Sequence, residues 1–272
     1  MALNFNVQWI HGAANCAAST DPRIQTHALD PDTFVLRESK CLSFEAPFLY
    51  LLAGSQRAFL LDTGARPESG PLPVRETVTR LLSGRNLDHV AGHSHSHGDH
   101  LFADEQFRGR PRTRVAPVDS PAAIRAFYGL SGWPDGSASL DLGGRKLTIF
   151  PIPGHEPHHI AVFDQRTGIL LTGDVLYPGM LTVRTADWGE YKKSAKRLAD
   201  FANANPVAHV LGAHIEMTKT PKVAFPLGTR FQPNEHVLQL GKQHVIELNQ
   251  VCESLGPTPV RTVRDDFILT PQ

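Results

Sequence analysis

The sequence lacks an excess of charge of either sign, and it lacks a long hydrophobic run. Its 272 residues include 27 Lys and Arg and 27 Asp and Glu. A nucleic-acid-binding protein normally carries a basic excess, because phosphate contacts supply much of its affinity. The longest apolar run, at residues 48–53, is far shorter than the roughly 20 residues that cross a bilayer. We therefore expect neither a nucleic-acid partner nor a membrane.

Cysteine is scarce, and the N-terminus has no apolar segment of the kind found in signal peptides. The three cysteines are Cys16, Cys41 and Cys252, which are odd in number and form no CxxC pair. This pattern predicts no disulfide framework and favours a reducing compartment. The first positive charge is Arg23, which is atypical of a secretory signal. Together these absences predict a cytoplasmic protein.

No repeat, low-complexity tract or long charged linker divides the chain. Its length suits one large domain, so we predict a single domain over residues 1–272. Residues 1–30 are expected to be an irregular lead-in. Residues 218–272 are expected to contain a C-terminal helix, opened by Pro233 and reaching residue 254, and then a strand.

Short strand patterns interleave with helical patterns along the chain. The predicted strands lie at residues 33–37, 48–53, 58–62, 89–91, 114–116, 146–150, 159–163, 169–171, 207–211 and 266–270. Besides the C-terminal helix, helices are predicted at residues 72–82, 121–128 and 187–202. This alternation indicates layered α/β packing, although the pattern does not specify the order of the layers.

Histidine is abundant, with 14 residues in the chain and four of them within eight positions. The densest run is Ser-His-Ser-His-Gly-Asp-His at residues 94–100. His95 and His97 alternate as on an extended segment, so both side chains can point the same way. The glycine that follows permits a sharp turn, which can direct Asp99 and His100 to a second position. Imidazole and carboxylate suit zinc, and also iron or manganese. The alternative is a surface His-rich tract.

Three further candidate ligands follow predicted strands at turn positions. They are His155 in Pro-Gly-His, Asp174 in Thr-Gly-Asp and His214 in Gly-Ala-His. Functional side chains tend to gather on loops that a rigid sheet positions. Taken singly, each signal is weak, because Asp174 could be a turn residue and His214 a structural histidine.

The ordered set of His-x-His-x-Asp-His, Pro-Gly-His, Gly-Asp and a late Gly-x-His resembles the metallo-β-lactamase superfamily over roughly residues 30–216. The resemblance implies an α/β fold, a four-layer αββα sandwich. Carried over by motif, the first metal's ligands are His95, His97 and His155, the second's are Asp99, His100 and His214, and Asp174 bridges both. The early Asp-Thr-Gly turn matches at residues 62–64, and its aspartate is implied to support the histidine loop without binding metal. One departure is His158, which stands where glycine is usual.

The resemblance implies two divalent metal ions, zinc first, with iron or manganese as alternatives. Such a pair acidifies a shared water, and the metal-bound hydroxide attacks a carbonyl while Asp99 takes the proton. The expected reaction is hydrolysis of a carboxylic ester-type bond in a small-molecule ester, thioester or lactone. Tyr177, three residues after Asp174, is similar to a tyrosine of acyl-homoserine lactonases that bonds the substrate carbonyl. Alternatively, Tyr177 only packs beside the site.

Other readings compete with ester hydrolysis. Phosphodiester hydrolysis, as in ribonuclease Z, is disfavoured by the neutral charge. A mononuclear iron enzyme resembling persulfide dioxygenases is disfavoured by the complete second ligand set, and the same set argues against a non-catalytic metal-binding protein. Glutathione thioesters are not specifically supported, because glyoxalase II binds its substrate through a helical C-terminal domain. A homodimer is left open.

Overall fold

Two six-stranded sheets contain most of the strands that the sequence pattern predicts. The computed structural model describes residues 2–272, and they group into two compact units. The first unit comprises residues up to 117 with 141–145 and 228–233, and the second comprises residues 118–140, 146–227 and 234–272. The single domain therefore stays a prediction, and each unit is described by itself.

The sheet of the first unit has the strand order of the sequence. Its strands are β1 (Ile24–Asp30), β2 (Thr33–Glu38), β3 (Phe48–Ala53), β4 (Arg57–Leu61), β5 (Asp88–Gly92) and β6 (Thr113–Val115). Strands β1 to β4 are antiparallel neighbours, whereas β4, β5 and β6 run parallel. The parallel step from β4 to β5 needs a crossover, which contains helix α1 (Val74–Leu81). Val74 and Val78 on α1 are buried in an apolar cluster with side chains of the sheet.

The sheet of the second unit contains strands β7 to β10, β12 and β13. Their bounds are Ala138–Asp141, Lys146–Pro151, Ile160–Asp164, Ile169–Gly173, His209–Gly212 and Gln239–Leu240, in the spatial order β13-β12-β10-β9-β8-β7. Strand β12 runs parallel to β10, and the crossover between them contains helix α3 (Trp188–Ala204). Trp188, Tyr191 and Leu198 on α3 share one buried face in the apolar core of this unit.

The second unit also contains two further α-helices, a small sheet and a short 3-10 helix (Thr185–Asp187) just before α3. The helices are α2 (Pro121–Tyr128) and α4 (Lys242–Ser254), and the sheet joins β11 (Met180–Val183), β15 (Ile268–Pro271) and β14 (Thr262–Val263). Helix α2 begins after Ser120, whose side chain accepts a hydrogen bond from the backbone N–H of Ala123.

Two predictions about the chain's ends are wrong in part. Residues 1–30 are not irregular throughout, because Ile24–Asp30 forms an edge strand paired with β2. A register shift after Ala28 interrupts the alternation that would have revealed this strand. The C-terminal helix begins at Lys242 rather than near Pro233. The segment before it includes β13, which pairs with β12, so tertiary pairing overrides the local helical pattern.

The prediction that the cysteines form no disulfide is also wrong. Cys16 and Cys41 are joined by a disulfide bond, and Cys252 is a buried free cysteine. The bond closes a sequence separation of 25 residues, which spacing rules for short motifs do not detect. The argument for a reducing compartment therefore loses its basis. Within residues 2–272, no helix combines the length and apolar character needed to cross a membrane.

Candidate metal centre

The histidine-rich loop directly follows β5, and one aspartate at the end of β4 holds both ends of this loop. Asp62 Oδ1 accepts a hydrogen bond from the Ser94 backbone N–H at 2.7 Å. Its Oδ2 accepts from the Ser94 hydroxyl and from His100 Nδ1, each at 2.9 Å. Because a carboxylate only accepts, Nδ1 of His100 carries a proton, and Nε2 is then the atom that can bind a metal.

The other imidazoles of this loop converge on the same region. The Ser94 hydroxyl donates to Asp62, so it accepts from His95 Nδ1, which lies 3.0 Å away, and this makes Nε2 the ligand atom of His95. That Nε2 lies 2.9 Å from Nδ1 of His97. In addition, Nε2 of His100 lies 3.1 Å from Oδ2 of Asp99. Two imidazole nitrogens therefore lie together, as do an imidazole nitrogen and a carboxylate oxygen.

In the second unit, three candidate ligands lie beyond the ends of strands. Nδ1 of His155 donates to the Thr182 carbonyl oxygen at 2.9 Å, which makes Nε2 its ligand atom. This Nε2 lies 3.6 Å from Oδ2 of Asp174. The other carboxylate oxygen of Asp174 lies 3.4 Å from Nε2 of His214. Asp174 and His214 follow the neighbouring parallel strands β10 and β12, whose register pairs Gly173 with Gly212 and so brings both side chains together.

The seven predicted ligands form two groups that could each hold a metal ion. In each group the ligand atoms lie within 4.8 Å of one another, and the groups are His95, His97, His155 and Asp174, and Asp99, His100, Asp174 and His214. Two zinc–ligand bonds of about 2.0–2.2 Å span at most about 4.4 Å, so each donor set fits an ion after small adjustments. Imidazole and carboxylate are donors that zinc, iron and manganese accept. That each residue binds metal stays a prediction.

The hydroxyl of Tyr177 has two partners within its own unit. It lies 2.8 Å from the Met180 carbonyl oxygen and 3.1 Å from Oε2 of Glu216, both of which accept hydrogen bonds. The phenol ring is buried and packs edge-on against the His214 ring, with centroids 5.5 Å apart. Since one O–H donates to one acceptor at a time, bonding a substrate carbonyl would require it to leave these partners. The catalytic role of Tyr177 stays a prediction.

Sequence reasoning missed two residues that position this site. The fully buried His159 accepts a hydrogen bond at Nε2 from the Asp174 backbone N–H at 3.2 Å, which helps to place that carboxylate. Glu216, two residues after His214, also accepts from the Met180 backbone N–H at 2.8 Å. Nothing in the spacing of His159 distinguishes it from a core histidine. By contrast, an acidic residue so close to a candidate ligand was a usable signal for Glu216.

A buried glutamate lies near the turn that carries Asp62. Glu38 is 1% exposed, and its Oε2 accepts a hydrogen bond from the Ala65 backbone N–H at 2.9 Å. Burial raises the pKa of Glu38 to about 8, although the bond from Ala65 opposes the shift and the charge of Asp99 adds to it. At neutral pH this carboxyl is therefore largely protonated.

Comparisons with known proteins bear on this site and its fold. A family model described as "Metallo-beta-lactamase superfamily" matches residues 44–205. Acyl-coenzyme A thioesterase MBLAC2 of Gallus gallus is 33% identical over 214 residues, which cover 62% of this chain and 72% of that protein. Hydroxyacylglutathione hydrolase of Dechloromonas aromatica is 29% identical over 136 residues, 50% of this chain and 46% of that protein. The chain thus spans about half the length of the second relative.

Solved structures resemble the chain at low identity. A metallo-beta-lactamase from Pontibacter korlensis gives a TM-score of 0.57 with 17% identity, covering 85% of this chain and 100% of that one. The DIM-1 metallo-beta-lactamase exposed to ceftazidime gives 0.58 with 12% identity, covering 87% and 99%. At these identities the likeness concerns the fold alone, and it confirms the predicted α/β fold of metallo-β-lactamases.

Proposed function

The chain belongs to the metallo-β-lactamase superfamily, and we propose that it is a binuclear metal-dependent hydrolase of small-molecule carboxylic thioesters. The observation that carries the proposal is the membership of Asp174 in both ligand groups. One carboxylate with an imidazole close to each of its oxygens can bridge two ions. His95, His97 and His155 would complete one ion's donor set, and Asp99, His100 and His214 the other's.

Two divalent ions, with zinc foremost, would supply an acidified water as the nucleophile and a Lewis acid for the carbonyl oxygen. The chain's own residues then hold this centre in place. Asp62 and the Thr182 carbonyl oxygen fix the ring orientations of His100 and His155, a kind of support that typically matters 10–100-fold for metal affinity. Preorganised donors of this kind avoid the cost of reorganisation when the substrate binds.

Two residues would handle the proton and the developing charge. The Asp99 carboxylate can take the proton of the attacking water and pass it to the departing thiolate as the carbon–sulfur bond breaks. Tyr177 can turn its hydroxyl from the Met180 carbonyl oxygen towards the substrate's carbonyl oxygen as that oxygen becomes negative. No serine or cysteine nucleophile is required for this reaction.

The choice of thioesters rests on the relatives. The two relatives described above are thioester hydrolases by name, one acting on acyl-coenzyme A and the other on hydroxyacylglutathione. A thioester and a lactone present the same electrophilic carbonyl, so lactones are the second substrate class. The proposal covers thioesters as a class, and the identity of the substrate's thiol is not taken from either relative.

A metal analysis coupled to a substrate screen tests the proposal. The protein is reconstituted with zinc, iron or manganese and assayed with acyl thioesters, lactones, bis-p-nitrophenyl phosphate and glutathione persulfide with oxygen. We expect two ions per chain and thiol release that a chelator abolishes and metal restores. Turnover of phosphodiesters or persulfides without thioester hydrolysis would overturn the proposal, as would thioester hydrolysis that survives complete metal removal.

A further inference from the structure

An apolar cleft of about 220 Å³ lies in the second unit beside the loop that carries His155. Trp133 lines it together with Pro121, Pro134 and Pro157. Trp133 is partly exposed, so its indole offers an apolar face to a bound group. Pockets with such apolar walls and few polar groups are typical of small-molecule sites.

Two residues that line the cleft directly precede a candidate metal ligand in the sequence. Pro153 and Gly154 line the cleft, and the next residue is His155, whose ring is anchored to the Thr182 carbonyl oxygen. Gly154 has φ +133°, and a Cβ atom there would lie 2.4 Å from the Cα atom of Tyr191 on α3. No side chain fits at Gly154, because the backbone of the loop packs directly against the backbone of α3. This close packing holds in place the part of the cleft wall that precedes the candidate ligand His155.

The charged residues of the cleft indicate which part of a thioester, the acyl chain or the thiol carrier, the cleft suits. Two charged residues, Asp187 and Glu190, line the cleft. Within residues 2–272, no lysine or arginine lines it. Each carboxylate is paired with a cation outside the cleft, Asp187 with Arg184 and Glu190 with Lys193. Such a rim does not attract the phosphates of coenzyme A or the carboxylates of glutathione. An uncharged acyl chain needs no positive charge to bind there.

We propose that this cleft binds the acyl chain of the thioester, so that the enzyme prefers uncharged, unbranched acyl groups. This inference rests on the proposed function. A volume of about 220 Å³ corresponds to roughly seven water-sized groups, and hence to a chain of roughly four to eight carbons. The carbonyl would lie at the metals, and the methylene groups would extend past Gly154 onto the Trp133 indole.

The test uses the metal-loaded enzyme and N-acetylcysteamine thioesters, whose neutral thiol makes acyl length the only variable. We expect kcat/KM to rise about three- to fourfold per methylene from acetyl to hexanoyl or octanoyl and then to level off. In Trp133→Ala this rise should flatten, so that the ratio of kcat/KM for hexanoyl over acetyl falls towards one, while the metal content stays that of the wild type. Trp133→Phe should keep most of the rise, and the exposed Asp135→Asn is a surface control.

Charge provides a second arm of the test. Butyryl thioesters should be preferred at least tenfold over succinyl thioesters, and Glu190→Gln should narrow that gap. A preference for the 4-trimethylammoniobutyryl thioester would show instead that the cleft is a cation site, which overturns the inference. A length profile that Trp133→Ala leaves unchanged would overturn it as well, while the proposed function would stand.

A binding measurement distinguishes a failure of the proposed function from a failure of the inference about the cleft. Hexanamide, a neutral analogue of the acyl chain that is not a thioester, should change the tryptophan fluorescence in a saturable way. The change should be absent from Trp133→Phe, since Trp9 and Trp188 are buried and neither lines the cleft. If no thioester is hydrolysed, the proposed function fails, and this titration still decides whether the cleft binds an apolar chain.

Discussion

The Asp62 carboxylate accepts a hydrogen bond from Nδ1 of His100 at 2.9 Å, across 38 residues of sequence. Asp62 has φ +68°, a left-handed conformation that few residues other than glycine, asparagine and aspartate adopt without strain. This left-handed turn aims a carboxylate at the histidine loop, and by holding Nδ1 of His100 it leaves Nε2 as the nitrogen that can bind a metal. The orientation of this imidazole is thus set by a residue of the first unit that belongs to neither ligand group.

Asp62→Asn should weaken the second metal site. Asparagine tolerates the same backbone conformation, but it loses the charge that orients His100. We expect the affinity for the second ion to fall roughly 10–100-fold, with little change in the first. Competition against a chromophoric chelator measures both constants, and Asp200→Asn on the exposed surface of α3 is the control. Equal affinities in Asp62→Asn and the wild type would refute this role.

Asp174→Ala should weaken the binding of both metals at once. If Asp174 bridges, each ion loses a ligand, so the bound metal should fall from two ions per chain to one or none, and hydrolysis should fall to background. Elemental analysis after dialysis gives the stoichiometry. His158→Ala, which changes a residue of the His155 loop outside both ligand groups, should keep two ions. An Asp174→Ala protein with two ions and normal turnover would show that Asp174 is only a turn residue.

Tyr177→Phe tests whether the hydroxyl acts on the substrate. We expect kcat for thioesters to drop up to about tenfold with little change in KM, less than the 10²–10³ typical of a lost oxyanion donor, because a metal shares the charge. Losing the bond to the Met180 carbonyl oxygen should also cost about 1 kcal/mol of stability. Steady-state kinetics and urea unfolding separate the two effects. Unchanged kcat with reduced stability would assign Tyr177 a structural role only.

Glu38→Gln should change the pH dependence of stability. An unfolded glutamate ionises near pH 4.5, whereas the folded pKa is about 8, so the native state retains a proton between these values. Glu38 therefore costs the wild type stability as pH rises from 4.5 to 8, by about 1.4 kcal/mol per pH unit, and no further above that window. Urea unfolding of the metal-free proteins at pH 5, 6, 7 and 8 should show the advantage of Glu38→Gln growing with pH. A constant difference would mean that Glu38 is ionised in the native state.

Reducing the Cys16–Cys41 disulfide should destabilise the protein without removing its metals. A bond across 25 residues lowers the conformational entropy of the unfolded chain, which raises the free energy of unfolding by roughly 3 kcal/mol. The double variant Cys16→Ser/Cys41→Ser should lose this amount in urea unfolding, whereas Cys252→Ala, a change at the free cysteine, should not respond to reductant. Thiol titration of the denatured wild type should find one free thiol. Three free thiols would show that the bond is absent.

The sequence alone determined the candidate ligands and the family. The spacing of residues 94–100 has no explanation in helix or strand packing, so it indicated metal chemistry before any tertiary contact was known. The glycine turns before His155, Asp174 and His214 placed these side chains at strand ends in the same way. Strands such as residues 48–53 could also be predicted, because a short continuous run of apolar residues is typical of a strand buried on both faces.

Only the tertiary structure decided what surrounds those ligands. The disulfide and the pairing of β1 join residues that no local pattern relates. The family resemblance implied that Asp62 supports the histidine loop, but only the structure shows that its partner is Nδ1 of His100. The pKa of Glu38 depends on burial, which is a property of the packed chain rather than of the residue. Likewise, no motif of the sequence marks Trp133, and it is packing that places its side chain in the cleft that Gly154 also lines. Ligand chemistry is encoded in short motifs because it needs particular atoms, whereas orientation, protonation and pocket shape depend on residues brought together from distant parts of the chain.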